Sequence, residues 1–311
     1  MDFMKTQARN SRRQFIQQGG MLLGAGLFGR FTAAHAAATA QPDSSTHYQI
    51  GCYTRPFDKF DWRAAYDAIA EAGYKYAGLI STNTKEWIMI RPNTTLEAAH
   101  EMGLEAAKRG LKLLSAYGDF SVAQSLQDGI AALQRLIDNC AAADCPNLLL
   151  GGVGEEKLSG PYFKAIAECC DYALAKKVGL SIKPHGGQNA TGPQCRKAIE
   201  GVARKNFGLW YDPGNIYYYS NGELDPAADA PAVDGLVVGM SVKDYRHPKE
   251  VMLTPGTGKV NFPAVMTALR RGGFTQGPLL VECLTPGDLG TLTEEARKTR
   301  RWLEELIAHG A

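Results

Sequence analysis

Short apolar runs alternate with longer amphipathic stretches along this chain, and the alternation repeats eight times. The short runs are apolar throughout, which is typical of strands that are covered on both faces of a sheet. The longer stretches predict helices, and a helix between two successive strands makes the strands parallel. We therefore predict eight parallel strands, at residues 48–53, 76–80, 111–117, 147–151, 180–184, 207–212, 237–242 and 279–282.

Capping and stop residues mark where the helices begin and end. Thr95 is a favoured N-cap, Gly110 a stop signal, and Thr191 with Pro193 marks another helix start. Eight strand–helix repeats are the number in a closed (β/α)₈ TIM barrel, an α/β fold. The alternative is an open doubly wound sheet, but no G-x-G-x-x-G motif follows the first strand. Helices are predicted at 61–72, 95–109, 125–143, 162–177 and 293–309, after 191–193 and 261–263, and weakly at 226–233 after a long loop.

The N-terminal segment carries the features of an export signal. Arg12 and Arg13 precede a mild apolar stretch at 21–31, and Ala34-His35-Ala36 is a small-x-small cleavage site. Together these features resemble a twin-arginine signal, which predicts a periplasmic or otherwise exported protein. The apolar stretch is too short for stable membrane insertion. We assign residues 1–40 to the cleaved signal peptide and 41–311 to a single barrel domain.

Composition narrows the function classes. The 271 residues after the predicted signal suit one barrel, because such barrels run near 250 residues. The net charge of +2 and the lack of a basic block give no electrostatic support for nucleic-acid binding. The seven cysteines contain no C-x-x-C pair, which favours buried, reduced thiols, although a Cys140–Cys145 bridge stays open.

Candidate chemistry lies just beyond the strands. A (β/α)₈ barrel places its active site on the loops that follow the C-terminal ends of its strands. Charged groups in a barrel mouth are costly unless they are paired or bind something, so their clustering predicts a functional pocket. The polar residues at these places are Tyr53, Arg55, Tyr117, Asp119, Glu155, Glu156, Lys183, His185, Asp212, Asn215, Ser241, Lys243, Asp244 and Glu282.

Five of these strand-end segments resemble a known family. They are Ile182–Gly187 (IKPHGG), Leu209–Asn215 (LWYDPGN), Ser241–Asp244 (SVKD), Gly256–Phe262 (GTGKVNF) and Leu280–Glu282 (LVE). Their order and spacing are similar to those of the sugar phosphate isomerase/epimerase family. That family is part of the xylose-isomerase-like TIM barrel superfamily, which also includes endonuclease-four-type enzymes and inosose dehydratases.

The resemblance implies a divalent metal in the barrel mouth. In that family a Glu after strand five, an Asp after strand six, a His on strand seven and a Glu after strand eight hold the metal, and the two glutamates move protons. Asp212 and Glu282 match the Asp and the last Glu. Lys183 stands at the first Glu position and Ser241 at the His position, so two expected ligands are replaced.

Three hypotheses about this replacement stay open. In the first, Asp212, Glu282 and His185 still hold a divalent metal such as Mn, Mg, Zn or Co. In the second, no metal binds and the Lys183 ammonium compensates the two carboxylates and acts as an electrophile or proton donor. In the third, the site only binds a carbohydrate.

The resemblance predicts an exported sugar isomerase or epimerase that transfers a proton next to a carbonyl on a sugar, keto-sugar or glycoside. The alternatives are a keto-glycoside lyase or hydrolase and a non-catalytic carbohydrate-binding barrel. An endonuclease is disfavoured, because few histidines lie near the rim. The predicted partner is a small carbohydrate, the oligomeric state stays open, and Lys243 with Asp244 is alternatively a structural ion pair. The candidate catalytic residues are Glu282, Lys183 and His185, and the candidate substrate-binding residues are Arg55, Tyr117, Glu155, Asn215 and Lys243.

Overall fold

The structure, a computed structural model, describes residues 48–309. Eight parallel strands close into a barrel in sequence order, with the first strand paired to both the second and the eighth. This confirms the predicted (β/α)₈ TIM barrel. The strands are β1 (Tyr48–Tyr53), β2 (Tyr76–Leu79), β3 (Lys112–Gly118), β4 (Asn147–Leu150), β5 (Gly179–Ile182), β6 (Phe207–Tyr211), β7 (Val237–Val242) and β8 (Gly277–Val281). The helices are α1 (Trp62–Glu71), α2 (Leu96–Lys108), α3 (Leu126–Ala142), α4 (Glu156–Ala175), α5 (Gly192–Val202), α6 (Pro213–Tyr219), α7 (Pro226–Asp229), α8 (Phe262–Arg271) and α9 (Leu289–Ala308).

Large side chains fill the interior of the barrel. The rings of Tyr53 and Trp210 lie 6.4 Å apart, and Leu280 packs in the same buried layer. Two glycines make this packing fit, because a Cβ at Gly78 would overlap the Tyr53 ring and one at Gly239 would overlap the Trp210 ring. The barrel is therefore a packed core rather than a pore, and polar chemistry is confined to its ends.

Several helices begin where the capping residues predict. The Thr95 hydroxyl accepts a hydrogen bond from the backbone N–H of Ala98 at the start of α2. At α5, Thr191 and Gln194 form a reciprocal capping box, each side chain pairing with the backbone of the other. These contacts satisfy N–H groups that have no partner inside the helix.

The segment directly after β6 was predicted as a loop, and that prediction is wrong, because it forms α6. Asp212 caps this helix by accepting from the backbone N–H of Asn215 at 2.9 Å, and Pro213 occupies its first position. The helix α4 also begins earlier than predicted, at Glu156 rather than residue 162, with Pro161 inside it. The first correction matters for the site, since α6 places a tyrosine beside the barrel mouth.

All seven cysteines are buried and none is paired in a disulfide, so the bridge between Cys140 and Cys145 is not formed. Within residues 48–309, no helix is both long enough and apolar enough to cross a bilayer. The predicted signal peptide at 1–40 lies outside the described residues.

Candidate functional site

Five charged side chains meet at the C-terminal ends of the strands, which we call the barrel mouth. Arg55 follows β1, Lys183 follows β5, Asp212 follows β6, Lys243 follows β7 and Glu282 follows β8. The last four are almost completely buried, and Arg55 reaches solvent. We call these five residues the ion cluster. Parallel strands explain their meeting, because all eight strands end at the same face of the barrel.

Glu282 lies at the centre of the ion cluster. Its Oε1 accepts hydrogen bonds from Arg55 (2.7 Å) and Lys243 (3.0 Å). The Lys183 ammonium donates to Oε1 at 2.9 Å and to Oε2 at 2.8 Å, and the Ser241 hydroxyl donates to Oε2 at 2.6 Å. Burial raises the pKa of Glu282, but attraction by Lys183, Lys243 and Arg55 outweighs burial and holds the pKa well below its usual range. The Glu282 carboxyl group is therefore ionised at neutral pH.

Asp212 connects the ion cluster to α6. Its Oδ2 lies 3.3 Å from the Lys183 Nζ and 3.6 Å from the Lys243 Nζ. Its Oδ1 is the N-cap of α6, so the carboxylate cannot turn away from the two ammonium groups without uncapping that helix. The helix and the cluster thus fix each other.

Asn215 positions one of the lysines. Its Nδ2 donates to the backbone carbonyl of Pro184 at 2.6 Å, and its Oδ1 accepts from Lys243 Nζ at 2.9 Å. Both ends of the amide are used in this way, so Asn215 holds Lys243. Its predicted role as a direct substrate ligand stays a prediction.

The ion cluster carries three cations against two carboxylates, which leaves an excess of positive charge. Arg55 is the cation nearest to solvent. Its guanidinium lies 5.8 Å from the ring centre of Trp87, and the Trp87 indole N–H donates to Asp58 at 3.1 Å. Among the described residues, Arg55 makes only one side-chain hydrogen bond, to Glu282. The remaining N–H groups of the guanidinium are therefore available to a ligand.

His185 stands on the opposite wall between two tyrosines. Its ring lies 6.3 Å from the ring of Tyr117 and 5.5 Å from that of Tyr219. Within the described part of the chain, neither ring nitrogen has a hydrogen-bond partner. His185 is exposed at the mouth, and its partial enclosure there, followed by repulsion from Lys183 and Lys243, lowers its pKa below the usual value. The imidazole is therefore neutral at neutral pH.

Glu155 lies away from the ion cluster. It is the N-cap residue of α4, its side chain is exposed, and its carboxylate pairs with Lys157 at 3.0 Å. The structure thus does not bring it together with the other candidate substrate-binding residues. Tyr117 does belong to the mouth, because the Lys183 Nζ lies 5.8 Å from its ring centre.

Asp244 has a structural role that is different from the ion pair considered above. Its two oxygens accept backbone N–H groups of Tyr245, Gly256, Gly258 and Val260, at 2.8 to 3.0 Å. Lys243 points instead to Glu282 and Asp212. The buried Asp244 carboxylate therefore organises the loop after β7, which explains the Gly-Thr-Gly segment there. A Cβ at Gly258 would overlap Asp244.

Sequence reasoning missed two residues of the mouth. Trp87 lies in the long connection between β2 and α2, and the length of that connection was the available signal. Tyr219 ends α6 in the run Tyr217-Tyr218-Tyr219, and it was missed because α6 was not predicted. The Trp87 ring lies beside Arg55 and the Tyr219 ring beside His185.

The residues of the mouth do not fit a divalent metal. Within residues 48–309, no group of three or more His, Cys, Asp or Glu side chains is arranged to hold one. The hypothesised set of Asp212, Glu282 and His185 is consequently not assembled. Both carboxylates are already engaged by ammonium groups.

His185→Gln is expected to reduce the loss of stability at acidic pH. The folded-state pKa lies below the unfolded value of 6.5, so the unfolded chain binds more protons than the folded chain at acidic pH. The free energy of unfolding of the wild type therefore falls as pH decreases below this value. Glutamine does not titrate, so the stability of the variant relative to the wild type should increase as pH falls. Urea unfolding at pH 7.0, 5.5 and 4.5 measures this, with His100→Gln on exposed α2 as the control. Parallel profiles for His185→Gln and wild type would contradict the prediction.

Comparison with known proteins agrees with this architecture. A model of the family described as xylose isomerase-like TIM barrel matches residues 66–306, well over half of the chain. A search of curated proteins found no match.

Solved structures share the fold at low sequence identity. A xylose isomerase domain protein from Planctomyces limnophilus is 19% identical, with 85% of this chain and 99% of that chain covered and a TM-score of 0.64. A xylose isomerase-like TIM barrel protein from Mycobacterium smegmatis, in complex with magnesium, is 16% identical (84% and 98% covered, TM-score 0.67). A D-allulose 3-epimerase from Methylomonas sp., in complex with D-allulose, is 15% identical (84% and 97% covered, TM-score 0.65). At these identities the likeness shows the fold alone.

Proposed function

The chain belongs to the xylose isomerase-like TIM barrel family, and we propose that it is a sugar isomerase or epimerase. It would move a proton at a carbon next to the carbonyl group of a free sugar, keto-sugar or glycoside. The observation that carries the proposal is the ion cluster at the barrel mouth. Its excess positive charge lies where an active site of this fold binds its substrate.

The proposed reaction needs a proton acceptor and a stabilised oxyanion. A base removes the proton from the carbon next to the carbonyl, and the electron pair of that C–H bond forms a carbon–carbon double bond. The carbonyl π electrons move to oxygen, which becomes an enolate. Addition of a proton from solvent to the opposite face of the same carbon gives an epimer. Isomerisation also needs the hydroxyl proton on that carbon to pass to the enolate oxygen, so that the former carbonyl carbon takes up the returning proton and the neighbouring oxygen becomes the carbonyl. Fixed positive charge beside the oxygen stabilises the enolate more than the ketone. This lowers the activation free energy for removal of the proton.

We assign the proton acceptor to His185. Its imidazole is exposed and neutral at neutral pH, and its ring nitrogens are unpartnered among the described residues, so one can accept a proton. The Lys183 and Lys243 ammonium groups weaken this base but also favour the enolate anion, so their two effects oppose each other. We propose that the substrate carbonyl oxygen accepts hydrogen bonds from the remaining N–H groups of Arg55. Lys243 lies behind Arg55 and adds positive charge. Glu282 as acid or base stays a prediction from the sequence. Its engagement by Arg55, Lys183, Lys243 and Ser241 favours a role in holding the cations in place.

The aromatic side chains support a carbohydrate substrate. The Trp87 ring lies beside Arg55, and the Tyr117 and Tyr219 rings lie beside His185. Binding sites for small molecules commonly combine such apolar walls with a few polar groups that fix orientation. The Methylomonas D-allulose 3-epimerase, which has the same fold, forms a complex with D-allulose, and this supports a sugar as the class of ligand.

Deuterium exchange tests the proposal directly. Free sugars, keto-sugars and 3-keto-glycosides are incubated with the protein in deuterated water and followed by NMR. We expect solvent deuterium at one carbon next to a carbonyl in at least one compound. His185→Gln should lower the exchange rate by about 10²-fold or more, the contribution of a general base, while His100→Gln keeps it. No exchange in the whole panel, together with sugar binding, would overturn the enzyme proposal in favour of a carbohydrate-binding barrel.

Export through the twin-arginine pathway is part of this proposal and rests on Arg12, Arg13 and Ala34-His35-Ala36. A free sugar or glycoside suits an exported enzyme better than a sugar phosphate, which is a cytoplasmic metabolite. Replacing both arginines by lysine should leave the chain in the cytoplasmic fraction. Unchanged fractionation of that variant would count against this route.

A further inference from the structure

The position between the Asp212 and Glu282 carboxylates is filled by an ammonium group. Lys183 Nζ lies 2.8 and 2.9 Å from the two oxygens of Glu282 and 3.3 Å from Asp212 Oδ2. A divalent metal binds carboxylate oxygens at about 2.0 to 2.6 Å. An ion bound to the same oxygens would overlap the Lys183 nitrogen, so the ammonium and the ion exclude each other.

Lys183 has no room to leave this position. The residue is only 2% exposed, and its three N–H donors are matched by carboxylate oxygens of Glu282 and Asp212. Turning the side chain away would leave an unpaired ammonium in the core or require the barrel wall to open. Either change is costly, because an uncompensated buried charge strongly destabilises a protein.

The net charge of the ion cluster also opposes a divalent ion. Arg55, Lys183 and Lys243 already exceed the charge of Asp212 and Glu282 by one. A bound ion would bring five positive charges against two negative ones in a space that is mostly closed to water. Repulsion of this kind is strong where water is excluded.

At both replaced ligand positions, a side chain that would bind a metal gives way to one that donates a hydrogen bond. Lys183 stands where the family resemblance implies a glutamate, and Ser241 stands where it implies a histidine. Each expected side chain would offer an electron pair to a metal. Each actual side chain donates a hydrogen bond to Glu282 instead, and the Ser241 bond is 2.6 Å long. The two substitutions therefore complete one hydrogen-bond network rather than leave a damaged metal site.

We propose that the Lys183 ammonium, supported by Lys243 and Ser241, replaces the divalent ion in this chain, so that the site works without a metal. Lys183 is then a positioning residue, because it holds Glu282 and Asp212 while Arg55 faces the ligand and the buried Lys243 adds positive charge behind it. The inference concerns the same site as the proposed function, but its test reads metal binding rather than turnover.

The first test uses the wild-type full-length chain. Metal content is measured after purification, free Mn²⁺ is followed by electron paramagnetic resonance during titration with MnCl₂, and thermal unfolding is recorded with and without EDTA. We expect no stoichiometric metal, no saturable Mn²⁺ binding up to 1 mM, and a Tm that EDTA and Mn²⁺ leave unchanged. One tightly bound Mn²⁺ per chain with a higher Tm would overturn the inference. If the wild-type protein binds no metal and also exchanges no solvent deuterium into any sugar, only the proposed function is overturned.

The second test restores the ligands. The double variant Lys183→Glu/Ser241→His should bind one Mn²⁺ and show a Tm that rises with Mn²⁺ and falls with EDTA. Lys205→Glu, the same charge change at an exposed position, is the matched control and should bind no ion. A folded double variant that binds Mn²⁺ no better than wild type would contradict the assigned position. If the double variant does not fold even with Mn²⁺, the wild-type titration alone decides the proposal.

Discussion

Glu282→Gln is expected to lower the free energy of unfolding by about 3–5 kcal/mol, the usual effect of removing one partner from a buried ion pair. The substitution keeps the shape of the side chain but removes the charge at the centre of the ion cluster. Arg55, Lys183 and Lys243 are then left with the single carboxylate of Asp212. In addition, one glutamine position becomes an NH₂ donor that faces other donors. Urea unfolding at pH 7 measures the loss.

A matched control separates this effect from the general loss of a surface charge. Glu200→Gln removes a carboxylate that pairs with Arg196 at 2.9 Å on the exposed face of α5, and should change stability by less than about 1 kcal/mol. Equal losses in the free energy of unfolding for the two variants would mean that the charge of Glu282 does not stabilise the three cations around it.

The pH dependence of the same pair adds a second readout. The folded-state pKa of Glu282 lies below its unfolded value of about 4.3. The stability that its charge contributes is therefore fully present above that value and is lost as pH falls through the folded-state pKa. The difference between wild type and Glu282→Gln should be constant from pH 6 to 8 and should shrink below about pH 4.

The barrel itself could be predicted because its signals are local. β1 and β7 have the predicted bounds, since each is a short apolar run between polar segments. The first residues of α2 and α5 were predicted from Thr95 and Thr191, whose side chains cap the helix that follows. Such signals need only neighbours in the sequence, and they are read without knowing the rest of the fold.

α6 could not be predicted in the same way. Asp212-Pro213-Gly214-Asn215 is typical of a turn, because each of these residues favours turn conformations. The helix forms nevertheless, since Asp212 caps it while also facing two ammonium groups from other strands. That arrangement depends on contacts between distant residues and leaves no pattern in the local sequence.

The members of the ion cluster were predicted, but their pairing was not. Residues at strand ends were expected to meet, and Lys183, Lys243, Asp212 and Glu282 do meet. Adjacent side chains on an extended segment point in opposite directions, so Lys243 turns to the mouth and Asp244 turns to the loop behind it. The sequence also left open whether a metal binds. Only the structure shows that the Lys183 side chain extends far enough to place its ammonium group between the Asp212 and Glu282 carboxylates.

Asp244→Asn is expected to destabilise the protein by about 2–4 kcal/mol, because it leaves buried backbone donors without an acceptor. The Oδ1 of Asp244 accepts from Tyr245 and Val260, and its Oδ2 accepts from Gly256 and Gly258. Asparagine keeps one acceptor oxygen and turns an NH₂ group towards the other pair of N–H groups. Each buried polar group left unsatisfied typically costs 1–3 kcal/mol. Urea unfolding gives the total, and hydrogen exchange should show faster exchange of these amides.

Asp225→Asn provides the matched control for this prediction. Asp225 is exposed and caps α7 by accepting one N–H from Ala227 at 2.9 Å, and asparagine caps a helix about as well as aspartate. Its stability should therefore change by less than about 0.5 kcal/mol. Because Lys243 directly precedes Asp244, release of the loop should also loosen Lys243 and raise the KM for any substrate found by deuterium exchange. An Asp244→Asn protein as stable as Asp225→Asn, with protected amides at 256 and 258, would show that the loop holds its conformation without the carboxylate.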